Sequence, residues 1–302
     1  MLFLLFSLFI EIELKEQTPL EHARVTRLIT TAQGNGTVLL QWADIKLQQG
    51  LAIHNGFYDF KSETFWLLKD ARLDGIARSI VYTGTQYVIW HGERGIVLDN
   101  NGAFKGVKWL NRFKGWETEL RIETMVSDGK RVLASGHFQR QDGTHLIEID
   151  FENESLNFGH TFFEERIDRS RRYVPFGDGF LQIEQHGGEI LRLDRNYQKL
   201  AVLRKRRPVV EALSSSAASR ALGHRGPLKP IADPFSVSGV GLSCRYLKLH
   251  DEAGERLDVA QVKALIISKQ GKVRIQDSFV LGSDGSKQLV YDAGQQVIRL
   301  HK

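Results

Sequence analysis

The sequence predicts an all-β fold, a six-bladed β-propeller, from three observations. A glycine-centred turn returns six times at intervals of about fifty residues, and each turn lies between two short runs of alternating apolar residues. Six units of that length use the whole chain of 302 residues, which predicts a single domain over 1–302. The six turns are Gly34-Asn35-Gly36, Thr83-Gly84-Thr85, Ser127-Asp128-Gly129, Gly177-Asp178-Gly179, Ser238-Gly239 with Gly241, and Ser283-Asp284-Gly285.

Alternating apolar and polar residues between turn signals place four strands in each of the first three units. The first unit has strands over 25–31, 38–42, 51–54 and 64–68. The second has strands over 79–82, 87–90, 96–98 and 104–110, and the third over 122–126, 131–134, 146–149 and 156–163. One four-stranded sheet cannot bury both of its faces by itself, whereas a closed ring of such sheets can, so we expect these units to stack side by side.

The fourth unit repeats the plan with strands over 173–176, 180–183, 190–193 and 197–203. The fifth is less regular, with strands over 235–237, 242–249, 256–259 and 264–268. The sixth has only three, over 273–281, 288–291 and 297–300. A spare strand over 9–15 precedes the first unit, and its pairing with the C-terminal strand would complete the last blade and close the ring, hiding two sheet edges.

The opening MLFLLFSLFI is apolar but lacks a basic segment before it and a small-residue cleavage site after it. We therefore favour a structural strand over a cleaved signal peptide, with a start truncated relative to a longer precursor as a third alternative. No later segment has eighteen uninterrupted apolar residues, so we expect no transmembrane segment. The compartment stays open: extracytoplasmic or secreted if the start is a truncated signal, otherwise cytoplasmic. Cys244, the single cysteine, excludes an intrachain disulfide.

A basic segment at about 204–234 interrupts the repeat between the fourth and fifth units. The segment begins with Arg204-Lys205-Arg206-Arg207, a candidate anion-binding run. The prolines later in the segment exclude a continuous helix. Much of the net charge of +5 lies here, so the blades are close to neutral and nucleic acid is an unlikely partner class. We interpret the segment as a surface insertion, either a solvated loop or an anion-docking element.

The pattern from Ser79 to Trp90, SIVYTGTQYVIW, resembles the repeat of β-propeller regions in secreted bacterial proteins, and Met125 to Leu133 keeps its turn without the closing tryptophan. This resemblance implies the fold and an envelope or extracellular setting. Such repeats occur in proteins of many activities, so the resemblance leaves the activity open.

Four histidines fall seven to nine residues beyond the last glycine of their turns, where second strands end: His91, His137, His186 and His250. If they gather at the channel mouth, they form a candidate metal or proton-transfer site, because imidazole binds transition metals and titrates near neutral pH. The simpler interpretation is that they cap strands in solvent.

Other polar and aromatic residues have structural interpretations. Trp42 and Trp90 end second strands and are expected to pack between blades. Asp128, Asp178 and Asp284 precede turn glycines, so we expect turn chemistry there and not calcium ligands.

These observations favour a monomeric, non-catalytic scaffold that recognises a protein or glycan on one channel face, with no cofactor. The alternative is a metal-dependent hydrolase or lyase that uses the histidine rim and a divalent metal to polarise an oxygen or activate water. Anion docking through the arginine run is a third hypothesis.

Overall fold

The computed structural model describes residues 15–18, 27–46, 50–139, 143–162, 171–184, 189–205, 235–238, 241–250, 256–268, 270–292 and 295–301. These residues form 24 β-strands and two single-turn 3-10 helices, Ala71–Leu73 and Leu110–Arg112. All the strands pair antiparallel, in six sheets. The predicted all-β class is confirmed.

Sheets 1 to 3 account for the first half of the chain. Sheet 1 contains β1 (Lys15–Thr18), β2 (Arg27–Gln33), β3 (Thr37–Lys46), β4 (Gly50–Asp59) and β5 (Thr64–Leu68), in the order β1-β5-β4-β3-β2. Sheet 2 is a meander of β6 (Ser79–Tyr82), β7 (Tyr87–Trp90), β8 (Arg94–Leu98) and β9 (Phe104–Trp109). Sheet 3 is a meander of β10 (Leu120–Ser127), β11 (Val132–Phe138), β12 (Thr144–Asp150) and β13 (Ser155–Phe162).

Sheets 4 to 6 continue as meanders. Sheet 4 contains β14 (Arg171–Phe176), β15 (Gly179–Glu184), β16 (Ile190–Leu193) and β17 (Lys199–Arg204). Sheet 5 contains β18 (Phe235–Ser238), β19 (Gly241–His250), β20 (Arg256–Ser268) and β21 (Val273–Gln276). Sheet 6 contains β22 (Ser278–Ser283), β23 (Gln288–Asp292) and β24 (Val297–His301).

The sheets are arranged as a β-propeller. Strand β2 contacts β6, β6 contacts β10, β10 contacts β14 and β18 contacts β22, so successive sheets meet through their first strands. Sheets 4 and 5 share an apolar core. Five sheets have the four or more strands of a complete blade, whereas sheet 6 has three. The described residues thus show five full blades where the sequence predicted six.

The N-terminal strand differs from its prediction. Lys15 pairs with Leu68 and Thr18 with Phe65, so β1 extends the outer edge of sheet 1. Of the predicted strand over 9–15, residues 9–14 lie outside the described residues, and Lys15 does not pair with the C-terminal strand. Strand β5 otherwise has unpaired backbone groups on its outer side, which β1 satisfies. Ring closure by strand pairing is therefore not confirmed.

The fifth and sixth units also divide differently. The predicted strands over 256–259 and 264–268 are one strand, β20, because residues 260–263 continue the alternation without a turn signal. The predicted strand over 273–281 is two strands, β21 and β22, which belong to different sheets. Sheet 5 thereby gains its fourth strand from the segment assigned to the sixth unit.

The glycine turns are confirmed wherever they are fully described. Each of these five turns holds a glycine with positive φ, at Gly36, Gly84, Gly129, Gly177 and Gly285. At Gly84 φ is 98°, a left-handed value that side chains disfavour, so the tight β6–β7 hairpin requires glycine. The turn of the fifth unit lies partly outside the described residues.

An aspartate repeat marks the turns between third and fourth strands. The side chains of these aspartates accept backbone N–H bonds within the turn, at Asp59, Asp99, Asp150 and Asp194. In sheet 5 the Ser268 hydroxyl takes the same role toward Lys272 N. Asp128 and Asp284 do likewise in first turns, which confirms their interpretation as turn residues.

Hydroxyl side chains join neighbouring first strands. Thr30 Oγ1 in β2 accepts a hydrogen bond from Ile80 N in β6 at 3.1 Å. Ser79 Oγ in β6 accepts one from Met125 N in β10 at 3.0 Å. The same device therefore ties sheet 1 to sheet 2 and sheet 2 to sheet 3.

Sheet 6 packs on sheet 1, although 250 residues separate the contacts. Gln33 Nε2 donates to Ser283 O at 2.5 Å, and Ser283 N donates back to Gln33 Oε1 at 3.0 Å. Lys287 forms an ion pair with Glu63. Apolar residues of sheets 1, 5 and 6 form one buried core.

Candidate functional site

His91, one of the predicted rim histidines, follows β7 and is half-buried. Burial lowers the pKa of its ring, a hydrogen bond with the backbone of Ile76 opposes this, and nearby Arg94 lowers the pKa further. Its Nε2 is buried and has no hydrogen-bond partner among the described residues. The His91 ring is therefore uncharged at neutral pH. It lies next to residues 69–78, which connect sheet 1 to sheet 2.

His137 lies in β11, the second strand of sheet 3. Its Nδ1 is 3.5 Å from Glu123 Oε1, which is in the neighbouring strand β10. It also interacts electrostatically with His145, the next strand's histidine, whose Nδ1 is 2.9 Å from Thr161 Oγ1. His137 is therefore part of a polar cluster within its own sheet.

The side chains of the other two predicted rim histidines lie outside the described part of the chain. His186 lies outside the described residues, and of His250 only the backbone, at the end of β19, is described. In the part of the chain that the structure describes, no group of three or more His, Cys, Asp or Glu residues is placed to hold a metal ion. The four-histidine metal site stays a prediction.

The candidate anion-binding run is described only in its first half. Arg204 ends β17 and is half-buried, and Lys205 follows it and is exposed. Arg206 and Arg207 lie outside the described residues, as does the rest of the predicted insertion to 234.

A cleft between sheets 2 and 3 was not predicted from the sequence. It has a volume of about 570 Å³ and is open to solvent. It is formed by the β6–β7 and β10–β11 turns, the end of β12 with the turn that follows it, and single residues of β9 and β13. The side chains that line it are Thr83, Thr85, Gln86, Lys108, Lys130, Arg131, Val132, Glu148, Ile149, Asp150, Phe151, Glu152 and Asn157.

Two of the cleft cations are bound within the protein. Lys108 Nζ donates to Phe151 O at 2.6 Å and to Glu154 Oε1 at 2.9 Å, which fixes sheet 2 against the turn of sheet 3. Arg131 donates to the carbonyls of Gly177 and Gly179, both at 3.0 Å, and so ties sheet 3 to sheet 4. These groups hold the walls of the cleft in place.

Two other charged side chains of the cleft, those of Lys130 and Glu148, are free to bind a ligand. Lys130 is exposed and Glu148 half-buried, and neither side chain has a hydrogen bond or ion pair to the described residues. Backbone and side-chain hydrogen bonds from Asn153 hold the pKa of Asp150 below its usual value, so this carboxylate is ionised at neutral pH. The cleft thus presents charges of both signs beside the Gln86 amide.

A smaller cavity of about 310 Å³ lies at the opposite end of sheet 1 from its glycine turn. His54 lines it, stacks on Trp42 with ring centroids 5.3 Å apart, and has its Nε2 3.2 Å from Asp44 Oδ2. His54 and Asp44 were not predicted as site residues from the sequence. They come together only because β3 pairs with β4 in this register, and no regular spacing in the sequence indicates their contact.

Acid will destabilise the protein through His145. Burial lowers the pKa of this ring below 6.5, so the unfolded chain takes up the proton first as the pH falls. The stability that the neutral ring supplies is complete above about pH 6.5 and is lost as the pH falls through the folded pKa. We expect His145→Gln to flatten the pH dependence of the unfolding free energy between about pH 7.5 and pH 5, measured by urea denaturation. The matched change at exposed His301 should leave the slope as in the wild type.

Comparisons with known proteins were made by sequence and by structure. No protein-family model and no curated protein sequence matches this chain. Among solved structures, a structural genomics protein of unknown function from Bacteroides thetaiotaomicron has a TM-score of 0.50 at 10% identity, covering 94% of this chain and 71% of that one. An auxiliary nutrient binding protein from the same organism has a TM-score of 0.48 at 10% identity, covering 92% and 69%.

A third similar structure is an oligogalacturonate lyase in complex with manganese, with a TM-score of 0.43 at 7% identity, covering 91% of this chain and 77% of that one. Likeness at these identities shows the fold alone. The similar structures include a binding protein and an enzyme, and so favour neither function for this chain.

No helix of the described residues is long and apolar enough to cross a membrane.

Proposed function

We propose that this chain is a non-catalytic binding scaffold whose cleft between sheets 2 and 3 holds a protein segment or a glycan. The observation that carries the proposal is the cleft itself: its volume falls within the usual range of ligand pockets, and its free groups include a cation, a carboxylate and an amide. Such groups bind the charges, amides and hydroxyls of peptides and sugars through directed hydrogen bonds.

The chemistry of the lining favours binding over catalysis. The lining includes neither imidazole nor thiol, the usual proton-transfer and nucleophilic groups at neutral pH. Asp150 is committed to the turn after β12, and its lowered pKa makes it a weak base. The cleft therefore supplies recognition groups on fixed walls.

We further infer a single domain of six blades, closed by packing of sheet 6 on sheet 1. The Gln33–Ser283 hydrogen bonds and the shared core support this closure. A ring of this kind leaves sheets 1 and 6 no unpacked face, which is the physical advantage of circular stacking.

Peptide and glycan arrays probed with the full chain test the proposed function. We expect hits in one of the two arrays, and we expect Lys130→Ala and Glu148→Ala to weaken them by about tenfold, because each removes a free charge from the cleft. The matched control is Lys61→Ala, an exposed lysine in the β4–β5 turn of sheet 1.

Three results would count against the scaffold. Hits that survive both cleft changes would place binding elsewhere, and arrays without hits would remove the proposal's support. Loss of binding on chelation with EDTA, together with loss on His137→Ala, would favour the metal-dependent alternative.

A further inference from the structure

We propose that Asn35 is a site of spontaneous covalent modification, at which water converts the side-chain amide to a carboxylate through a cyclic succinimide. Asn35 and Gly36 lie in the turn between β2 and β3, and the Asn35 side chain is exposed. The chain has three Asn-Gly pairs, at residues 35–36, 55–56 and 101–102. The fold leaves the first pair open to the reaction and protects the other two.

The reaction exchanges ammonia for water and needs no oxidant, reductant or enzyme. The Gly36 nitrogen loses its proton and attacks Asn35 Cγ, the new C–N bond closes a five-membered ring, and the bond from Cγ to Nδ2 breaks, so that Nδ2 leaves as ammonia. Water then opens the ring at either carbonyl, which gives aspartate or isoaspartate. Glycine favours the attack because it has no side chain to crowd the approach of its backbone nitrogen.

Both reacting groups of the first pair are unhindered. The Gly36 nitrogen has no hydrogen-bond partner among the described residues, whereas its carbonyl accepts a hydrogen bond from Phe60 N at 3.0 Å. A Cβ on Gly36 would have no atom within 4 Å, so there is room around the nitrogen for the ring to close. The Asn35 amide makes no hydrogen bond to the described residues either. No hydrogen bond of these two groups therefore has to break before the attack.

The pair at 101–102 has the same glycine φ of 75° but a hydrogen-bonded nitrogen. Gly102 N donates to Asp99 O at 3.0 Å, and Gly102 is buried. Asp99 Oδ1 also accepts from Asn101 N and from Ala103 N, both at 2.8 Å, which fixes the backbone on each side of the glycine. The turn must therefore open before the nitrogen can attack.

The pair at 55–56 is held more firmly, because it lies inside strand β4. The Asn55 side chain is buried, its Oδ1 accepts from Gln41 Nε2 at 3.0 Å, and its Nδ2 donates to Leu73 O at 3.3 Å. Gly56 pairs with β3 on one side and with β5 on the other. Reaction here requires that the strands of sheet 1 separate.

The modified turn lies where sheet 1 meets sheets 2 and 6. Gly34 N donates to Thr37 O at 2.9 Å across the turn and to Tyr87 OH of sheet 2 at 2.8 Å. Gln33, the residue before it, makes the hydrogen bonds to Ser283 of sheet 6. Isoaspartate adds one carbon to the backbone between Gly34 and Thr37, so it disturbs these contacts, whereas aspartate adds only a charge.

The test incubates the full chain in mildly alkaline buffer and follows each Asn-Gly pair by proteolysis and mass spectrometry, with isoaspartate separated from aspartate by chromatography. We expect Asn35 to react about tenfold faster than Asn101, whose turn must first lose a hydrogen bond, and we expect Asn55 to stay unmodified. In urea the three pairs should react at similar rates, because the unfolded chain protects none of them.

Two matched variants assign the reaction to its residue. Asn35→Gln should abolish the rapid release of ammonia, because glutamine would have to form a larger ring, and Asn101→Gln, also in an exposed turn position, should leave it unchanged. The proposal is overturned if Asn101 or Asn55 reacts as fast as Asn35 in the folded chain. It is also overturned if the same ranking persists in urea, or if Asn35 is intact when the unfolded chain is fully converted.

The variant Asn35→Asp separates the added charge from the longer backbone. We expect the isoaspartyl protein to unfold at a lower urea concentration than Asn35→Asp does, because only the isoaspartyl form lengthens the turn. Equal unfolding midpoints would contradict the expected effect on the contacts between sheets 1, 2 and 6.

Discussion

Replacement of Trp90 by alanine will lower the free energy of unfolding by about 3–5 kcal/mol. The Trp90 side chain is completely buried at the end of β7. It belongs to an apolar core that joins sheet 2 to sheet 3, together with Leu110 and Ile147. Truncation leaves a cavity in this junction that neighbouring strands cannot fill, because hydrogen bonds on both sides fix their positions. Urea denaturation followed by circular dichroism measures the loss.

Two further variants separate packing from polarity at this position. Trp90 Nε1 is buried without a hydrogen-bond partner among the described residues, so Trp90→Phe forfeits no hydrogen bond and should cost less than Trp90→Ala. Trp109 is 37% exposed on outer strand β9, and Trp109→Ala should cost less than about 1 kcal/mol. Equal losses for Trp90→Ala and Trp109→Ala would contradict the inter-sheet core.

The fold could be predicted from the sequence where the turn chemistry is strong. In sheet 2 the turn at Gly84 and the one after Asp99 delimit strands whose alternation is regular, and the predicted strands match β6 to β9 closely. Trp42 and Trp90 were predicted to pack between blades, and both lie in cores that join neighbouring sheets. Tight turns depend on residues that are adjacent in sequence, and core positions depend on hydrophobicity. Both can therefore be recognised from residue type and spacing.

Errors arose where tertiary pairing decides the outcome. Nothing local to Lys15 indicates whether its strand pairs with β5 or with the C-terminal strand, since both are outer strands with an available edge. Strand β20 of the long β19–β20 hairpin continues through residues 260–263, which include no turn residue. The sequence prediction divided this strand in two in order to give the fifth unit four strands. The period alone therefore did not locate the strand boundaries.

The cleft could not be predicted from the sequence, because its lining residues come from separate segments and share no regular spacing along the chain. Lys130 and Glu148 lie in different hairpins of sheet 3, and Gln86 comes from sheet 2, so only the stacked sheets bring them into one cleft. The aspartate repeat was visible in the sequence, because Asp99 and Asp194 each begin a turn five residues before the next strand.

Replacement of Gly282 by alanine will destabilise the protein by about 1–3 kcal/mol through a contact between sheet 6 and sheet 1. A Cβ at this position would lie 2.3 Å from Val38 Cγ2 in β3, and Val38 is completely buried. Such a distance forces the two sheets apart or Val38 out of its rotamer, and the Gln33–Ser283 hydrogen bonds beside it resist either movement. Thermal and urea unfolding of the single variant give the size of the effect.

The double variant Gly282→Ala with Val38→Ala distinguishes a closed ring from an open arc. Removing the valine methyl groups makes room for the new Cβ, so in a closed ring the double variant should be more stable than the sum of the two single losses predicts, by about 0.5 kcal/mol or more. In an open arc the two positions do not touch, and the losses would add. Coupling between residues 38 and 282 would therefore show that the two ends of the chain stabilise each other through sheets 1 and 6, since no pairing between β24 and β1 is needed to produce it.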